Sequence, residues 1–250
     1  MYKRSYTDIH THILPFVDDG PNDLQESLNL LKEQKAIGVE RVFLTPHFYP
    51  EEISLEDFLE KRDRSFSLIK ESFEPSLMPE IRLGAEVRFS PEILSLDLKR
   101  LTLGESDYIL IELDDVVYPP HISSVISELT CLGYTPVLAH IERCLYFRND
   151  PYLLAQLIHK GALAHITAES LTAKYDKGFS KAALSKGYAH MVASDTHDLN
   201  SRKPNLSGKL SSLPEELSQL AEDFALNLWD NIPCFPDEYD KIKKIFGKYR

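Results

Sequence analysis

Residues 7–20 read TDIHTHILPFVDDG, and the rest of the chain is organised around this stretch. Its first half has the pattern of a β-strand, in which successive side chains point to opposite faces. His10 and His12, two residues apart, therefore project to one side, where two imidazoles can share a metal ion. Asp8 falls on that same face and is expected to orient one of the two histidines, while Asp18 and Asp19 follow in a loop ended by Gly20. Asp18 admits two readings at this point, a turn residue or a second orienting carboxylate. A His-x-His pair is a weak signal alone, so its weight depends on what the neighbouring segments place beside it.

Working outward, Asn22 is the expected cap of an amphipathic helix over Asp23–Ile37 that stops at Gly38. A second strand, Val42–Thr45, runs into Pro46 and His47, and Ser54 is placed to cap the next helix. The third strand, Ile81–Val87, carries Glu86, and the fourth, Tyr108–Leu113, ends on Glu112. A helix over Ile122–Leu132 stops at Gly133, and the fifth strand, TPVLAH, ends on His140. Asp150 and Pro151 open another helix by N-cap and first-turn chemistry. Ala162–Thr167 is the sixth strand and HMVASDTHD, from His190, the seventh, with Asp195 and His197 again two apart. From Pro214 the pattern gives a helix to about Leu228 and a short terminal helix, both assigned to covering the rest.

Seven strands alternating with helices call for a parallel α/β sheet, and 250 residues suit one closed or nearly closed barrel. An open doubly wound sheet is the competing architecture. The barrel is favoured because ligand-type residues fall at or just past the C-terminal ends of six strands, where barrel enzymes build their sites. One barrel domain over residues 1–250 is expected, with no linker or repeat dividing it.

Composition excludes several classes. A net charge of −11 lacks the clustered cations that a nucleic-acid surface needs. No signal core and no long apolar run argues for a cytoplasmic protein without membrane insertion. Cys131, Cys144 and Cys234 form no CxxC pair, and none stands in the cation-rich loop of a thiolate nucleophile, although Cys144 follows Arg143 at a possible pocket wall.

The strand-end residues are His10, His12, His47, His140 and His197 with Asp19, Glu86, Glu112 and Asp195. Imidazole with carboxylate suits manganese, iron or zinc, and nine donors exceed the needs of one ion, which implies two or three. Three divalent ions against four carboxylates leave about two positive charges, enough to draw a phosphate to an acidic protein. His121, His159, His165 and His190 lie outside this set and are read as surface or structural residues. Phe48 and Tyr49 flank His47, where an aromatic ring either packs or stacks on a substrate ring.

DIHTHILPFVDDG, TPHF, GAEV, IEL, AHIER and SDTHD, in that order, resemble the PHP (polymerase and histidinol phosphatase) superfamily. The DDG loop, HIER and SDTHDLNSR are similar to its bacterial manganese-dependent protein-tyrosine phosphatases, which act on the tyrosine kinases of capsule and exopolysaccharide synthesis. The resemblance spans about residues 7–210 and implies a distorted (β/α)7 PHP barrel. It implies one ion on His10, His12, Glu86 and Asp195, a second on Glu86, Glu112 and His140, and a third on Asp19, His47 and His197. Manganese is the implied metal, with iron or zinc as alternatives. Arg143 and Arg202 match arginines that hold the phosphate, and the implied chemistry is attack by a metal-bound hydroxide. At His165 the chain departs from the more usual glutamine. The competing expectations are a small-molecule phosphatase, such as one for histidinol phosphate, and a non-catalytic regulatory partner of a kinase; the complete ligand set speaks against the latter.

Overall fold

The computed structural model describes residues 5–235, together with a two-stranded antiparallel pair, Lys244–Ile245 with Lys248–Tyr249. The short terminal helix expected there otherwise falls outside the described residues. In chain order the elements are β1 (Tyr6–Asp8), α1 (Leu24–Ala36), β2 (Val39–Leu44), β3 (His47–Phe48), α2 (Leu55–Glu71), β4 (Glu80–Leu83), β5 (Glu86–Arg88) and β6 (Tyr108–Glu112). They continue with α3 (Ile122–Cys131), β7 (Thr135–Leu138), α4 (Leu145–Asn149), α5 (Pro151–His159), β8 (Leu163–Thr167), α6 (Lys177–Ser185), β9 (Met191–Ala193), α7 (Leu206–Leu210) and α8 (Glu215–Trp229).

All pairings among β1 to β9 are parallel. Two of the seven expected strands are each broken in the middle. Pro46 has no N–H to donate, so β2 stops at Leu44 and pairing resumes at His47. The partner strand breaks alongside, with Gly84 N bonding Leu44 O at 2.8 Å and Glu86 N bonding Pro46 O at 3.0 Å. β2 with β3 and β4 with β5 therefore act as single kinked strands, which gives the predicted seven. The ring closes where Thr11 pairs in parallel with Thr196, His12 N bonds Thr196 O at 2.8 Å and Asp195 N bonds His10 O at 3.0 Å. The result is the distorted barrel, with helices packed outside.

Local chemistry explains the element ends. Asp23, not the expected Asn22, caps α1 by accepting from Glu26 N at 2.8 Å. Ser54 caps α2 through Asp57 N, and Asp150 caps α5 ahead of Pro151, as the sequence predicts. α4, α6 and α7 are additions to the expected elements; α4 follows Cys144, which offers no cap, and Asp176 and Asn205 stand at the cap positions of α6 and α7 without making a side-chain cap hydrogen bond.

Inside the barrel Ile9, Phe43, Leu110, Val137, Leu163 and Met191 pack as one apolar layer. At the end where the strands begin, α8 adds Ala225, Leu228 and Trp229 to that layer. Arg82 of β4 stacks over the Trp229 ring at 4.1 Å and donates to its carbonyl. The opposite end, where the strands finish, is polar.

Candidate active site

β1 is pinned before it delivers its histidines. Thr11 N donates to Thr45 Oγ1 at 3.1 Å, Thr11 Oγ1 donates to Phe43 O at 2.8 Å, and Thr45 N bonds Thr11 O at 2.8 Å. This places His10 Nε2 and His12 Nε2 2.9 Å apart, both fully buried. Two nitrogen lone pairs at that distance repel unless a cation, a proton or a metal, lies between them. Glu86 Oε2 stands 3.3 Å from each nitrogen and Asp195 Oδ1 3.6 Å from each. Metal–ligand bonds of about 2.0–2.2 Å put neighbouring donors roughly 3.0–3.5 Å apart, so these four residues have the spacing of one coordination sphere.

Glu86 also reaches His47 Nδ1 at 2.8 Å and, through Oε1, His140 Nε2 at 2.9 Å. Glu112 approaches the same two rings, His47 Nδ1 at 3.9 Å and His140 Nε2 at 4.0 Å. The other face of His47 looks elsewhere: Asp19 Oδ1 lies 3.6 Å from His47 Nε2 and 3.1 Å from His197 Nε2. All nine predicted donors thus join one contiguous cluster. His47, expected in the third set, also faces Glu86 and Glu112, and His12 joins Asp19, His47 and His197 in a grouping the sequence did not anticipate.

Several of these buried atoms lack an aligned hydrogen bond: His47 Nδ1, Glu86 Oε2, Glu112 Oε2, Asp195 Oδ1 and His197 Nε2. Buried polar atoms are rarely left so, and five in one cluster fit a site built to hold cations. Burial pushes His10 down to about 4. Burial works against the Glu86 and Asp195 carboxylates too, yet the imidazoles around them, joined by Arg143 for Asp195, hold both well below the usual range. His140 and Asp195 take positive φ, 31° and 55°, a backbone region that residues other than glycine seldom adopt and that recurs at functional sites.

Among the surrounding groups Asp8 departs from expectation, while Asp18 and His165 acquire definite partners. Asp8 does not orient a histidine side chain; its carboxylate accepts from Ser194 N at 2.9 Å and Gln34 Nε2 at 2.8 Å, tying β1 to the Asp195 loop and to α1. Asp18 takes the orienting role and is a turn residue as well. Its Oδ2 meets His12 Nδ1 at 2.7 Å and His47 N at 3.1 Å, while Oδ1 accepts Gly20 N at 3.1 Å. Gly20 is required because a Cβ there would lie 2.1 Å from the His12 carbonyl oxygen. His165, read as outside the donor set, is fully buried with Nε2 2.9 Å from His10 Nδ1. Its own Nδ1 faces the Ile166 carbonyl at 3.3 Å and must donate to it. Burial keeps His165 neutral, so its Nε2 accepts from His10 Nδ1–H and leaves the His10 Nε2 lone pair facing the cluster.

Arg143 and Arg202 both donate to Asp195 Oδ2, Arg202 at 2.8 Å, and Arg202 also reaches Asp19 Oδ2 at 3.2 Å. Their side chains are 37% and 35% exposed against 3% for Asp195, so they rim the cluster. Arg88, which the sequence reading passed over, lies 3.2 Å from Glu112 and 3.4 Å from Asp114. Its position two residues after Glu86 on one strand was the available signal. Cys144 is buried in the core rather than lining the site, and burial raises its thiol to about 12. Phe48 packs on Phe58, whereas Tyr49 stays at the surface of the site, 5.1 Å from the His47 ring.

The sequence model of the capsular polysaccharide synthesis proteins CpsB/CapC matches residues 6–224. The chain belongs to the CpsB/CapC family. Among similar proteins of known name, tyrosine-protein phosphatase YwqE of Bacillus subtilis is 32% identical over 96% of this chain and 98% of its own. Tyrosine-protein phosphatase CpsB of Streptococcus agalactiae is 34% identical over 80% of this chain and 86% of its own. A solved structure, from work on YwqE of Bacillus subtilis and CpsB of Streptococcus pneumoniae as metal-dependent tyrosine phosphatases, superposes with a TM-score of 0.85 at 29% identity. It covers 95% of this chain and 99% of the other, so the CpsB/CapC likeness extends over the whole barrel. Among the described residues no helix is long and apolar enough to cross a membrane.

Proposed function

We propose that this CpsB/CapC protein is a metal-dependent protein-tyrosine phosphatase of the cytoplasm, acting as one barrel domain on a bacterial tyrosine kinase of capsule or exopolysaccharide synthesis. One observation carries the reading: Glu86 lies within 3.3 Å of four imidazoles, those of His10, His12, His47 and His140. A buried carboxylate shared in this way suits a bridge between ions, and the nitrogen–oxygen donor set suits a first-row divalent metal. Manganese is the ion we expect.

His10, His12, Glu86 and Asp195 would hold one ion; Glu86, Glu112 and His140 a second; Asp19, His47 and His197 a third. Such ions would supply an acidified water and a counter-charge for the phosphoryl oxygens. The chain's own contribution is positioning. Asp18 and His165 fix the ring nitrogens of His12 and His10 that face the cluster. Arg143 and Arg202, anchored on Asp195, present planar guanidinium forks whose five N–H donors exceed the one or two engaged there, and these suit a phosphate at the rim. The raised Cys144 thiol speaks against a thiolate nucleophile.

The test is hydrolysis of a phosphotyrosine peptide against histidinol phosphate with manganese added, before and after chelation. Preference for the peptide, loss on chelation and recovery with manganese are expected. Preference for histidinol phosphate would make the protein a small-molecule phosphatase, and no turnover of either by metal-loaded protein would leave a regulatory partner.

A further inference from the structure

Beside the donor cluster lies a cavity of about 410 Å³ with a wall the metal reading does not use. Asp19 and His47 form its inner side, Val17, Ile53 and Phe58 give it an apolar wall, and Asp18, Glu52 and Lys61 complete its lining. Tyr49 stands between the two, its ring tilted 34° to that of His47. The loop carrying Tyr49 is already set: Glu52 N and Ile53 N bond the Tyr49 carbonyl at 2.9 and 3.2 Å, and Lys61 Nζ of α2 bonds Val17 O at 2.8 Å. A cavity of roughly 150 Å³ with aliphatic and aromatic walls is enough to take up benzene, so this one has room for a phenyl group with its first substituents. The polar side touches the cluster and the rim arginines, since Arg202 bonds Asp19. A ligand filling both regions therefore has an anionic head joined directly to a flat apolar body.

We propose that this cavity is the subsite for the aryl group of the phosphomonoester, with Tyr49 and Ile53 selecting a phosphorylated aromatic side chain over a phosphorylated aliphatic one. The proposal rests on the phosphatase reading and deepens it. An aliphatic phosphate would reach the rim arginines with the apolar wall uncovered. An aryl phosphate covers that wall and gains ring contact with Tyr49.

The test compares inhibition by phenylphosphonate and by methylphosphonate, in the manganese-loaded protein and in three variants at positions outside the donor set. Ile53→Trp fills the cavity and Tyr49→Ala removes one wall; each is expected to weaken phenylphosphonate about tenfold while methylphosphonate stays within about twofold. Tyr49→Phe keeps the ring and should match the parent. Unchanged methylphosphonate inhibition also reports that each variant is folded. Equal weakening of both inhibitors, or of neither, would overturn the subsite. Phosphate release from a phosphotyrosine peptide by the parent protein is measured alongside. If it occurs while the inhibitors shift together, only the subsite fails; if the loaded parent releases none, the phosphatase reading fails and takes the subsite with it.

Discussion

At the C-terminal end of the strands Glu86 is fully buried among four imidazoles, and one of its oxygens makes no aligned hydrogen bond. At the other end Glu222 of α8 is also buried and likewise has one oxygen, Oε1, without a hydrogen bond. Its Oε2, however, accepts Thr7 N at 3.1 Å, and it lies beside the apolar layer that α8 completes, with no imidazole among the described residues bonded to it. The two carboxylates respond oppositely to burial. The imidazoles hold Glu86 well below the usual range, whereas burial pushes Glu222 up to about 8. A buried acid surrounded by bases is poised to serve cations, and a buried acid surrounded by apolar groups is poised to keep its proton. One end of the barrel thus concentrates unsatisfied charge, and the other closes the core.

The sharpest way to break the comparison is to remove Glu86. Glu86→Gln should cost on the order of 10³-fold in kcat/KM and lower the manganese content, because a neutral amide cannot bridge ions. Asp19→Asn should cost less, since Asp19 is 57% exposed and belongs to one donor grouping, with His12, His47 and His197, whereas Glu86 belongs to two. Kinetics paired with elemental analysis check this. Equal losses from the two variants would remove Glu86 from the centre of the site.

A second, smaller effect concerns His165. His165→Leu leaves His10 Nδ1 without its acceptor and should cost about 10–100-fold in metal affinity. His165→Gln can restore an acceptor through its amide oxygen and should recover most of that loss. Manganese titration followed by chelator competition distinguishes the two, and equal defects would make His165 a packing residue alone.

His165 also shows where the sequence stops being legible. The strands and the convergence of nine donor-type residues at one end were legible because the signal is local: six of the seven apolar runs carry a His, Asp or Glu at or just past their ends. His165 lies within β8, and its partner is 155 positions away, so its departure from the more usual glutamine marks the position while nothing in its own neighbourhood reveals its role. The opposite error at Asp8 has the same origin. Its face of the strand was predicted, but Ser194 and Gln34, brought in from β9 and α1, claim its oxygens. Kinks at Pro46 and Gly84 divide two strands without moving His47 or Glu86 out of register, which is why the site survived errors in strand boundaries. Arg88 was missed although strand alternation puts it on the face of Glu86.

The smallest effect on turnover is expected at the closed end, where Glu222→Gln should alter stability with pH and leave kcat/KM unchanged. Below the ordinary carboxylate value of 4.5 both folded and unfolded chains hold the Glu222 proton, and the group contributes nothing to the pH dependence. Between 4.5 and about 8 the unfolded chain has lost that proton while the folded chain keeps it. The folded state then binds more protons, so stability falls as pH rises through this window. Above about 8 the penalty is complete, because the folded protein must ionise Glu222 in an apolar setting near Asp8, with Arg41 giving only partial compensation. Glutamine can keep the acceptor for Thr7 N and has no proton to lose. The variant should match the parent in melting temperature near pH 5 and exceed it by a widening margin, several degrees by pH 8, given about 2–4 °C per kcal/mol for a chain of this size. Taking the difference between the two proteins at each pH cancels the titration of the histidine cluster, which both share. Parallel melting curves across the window would mean that Glu222 ionises normally and that the two ends of the barrel treat a buried carboxylate alike.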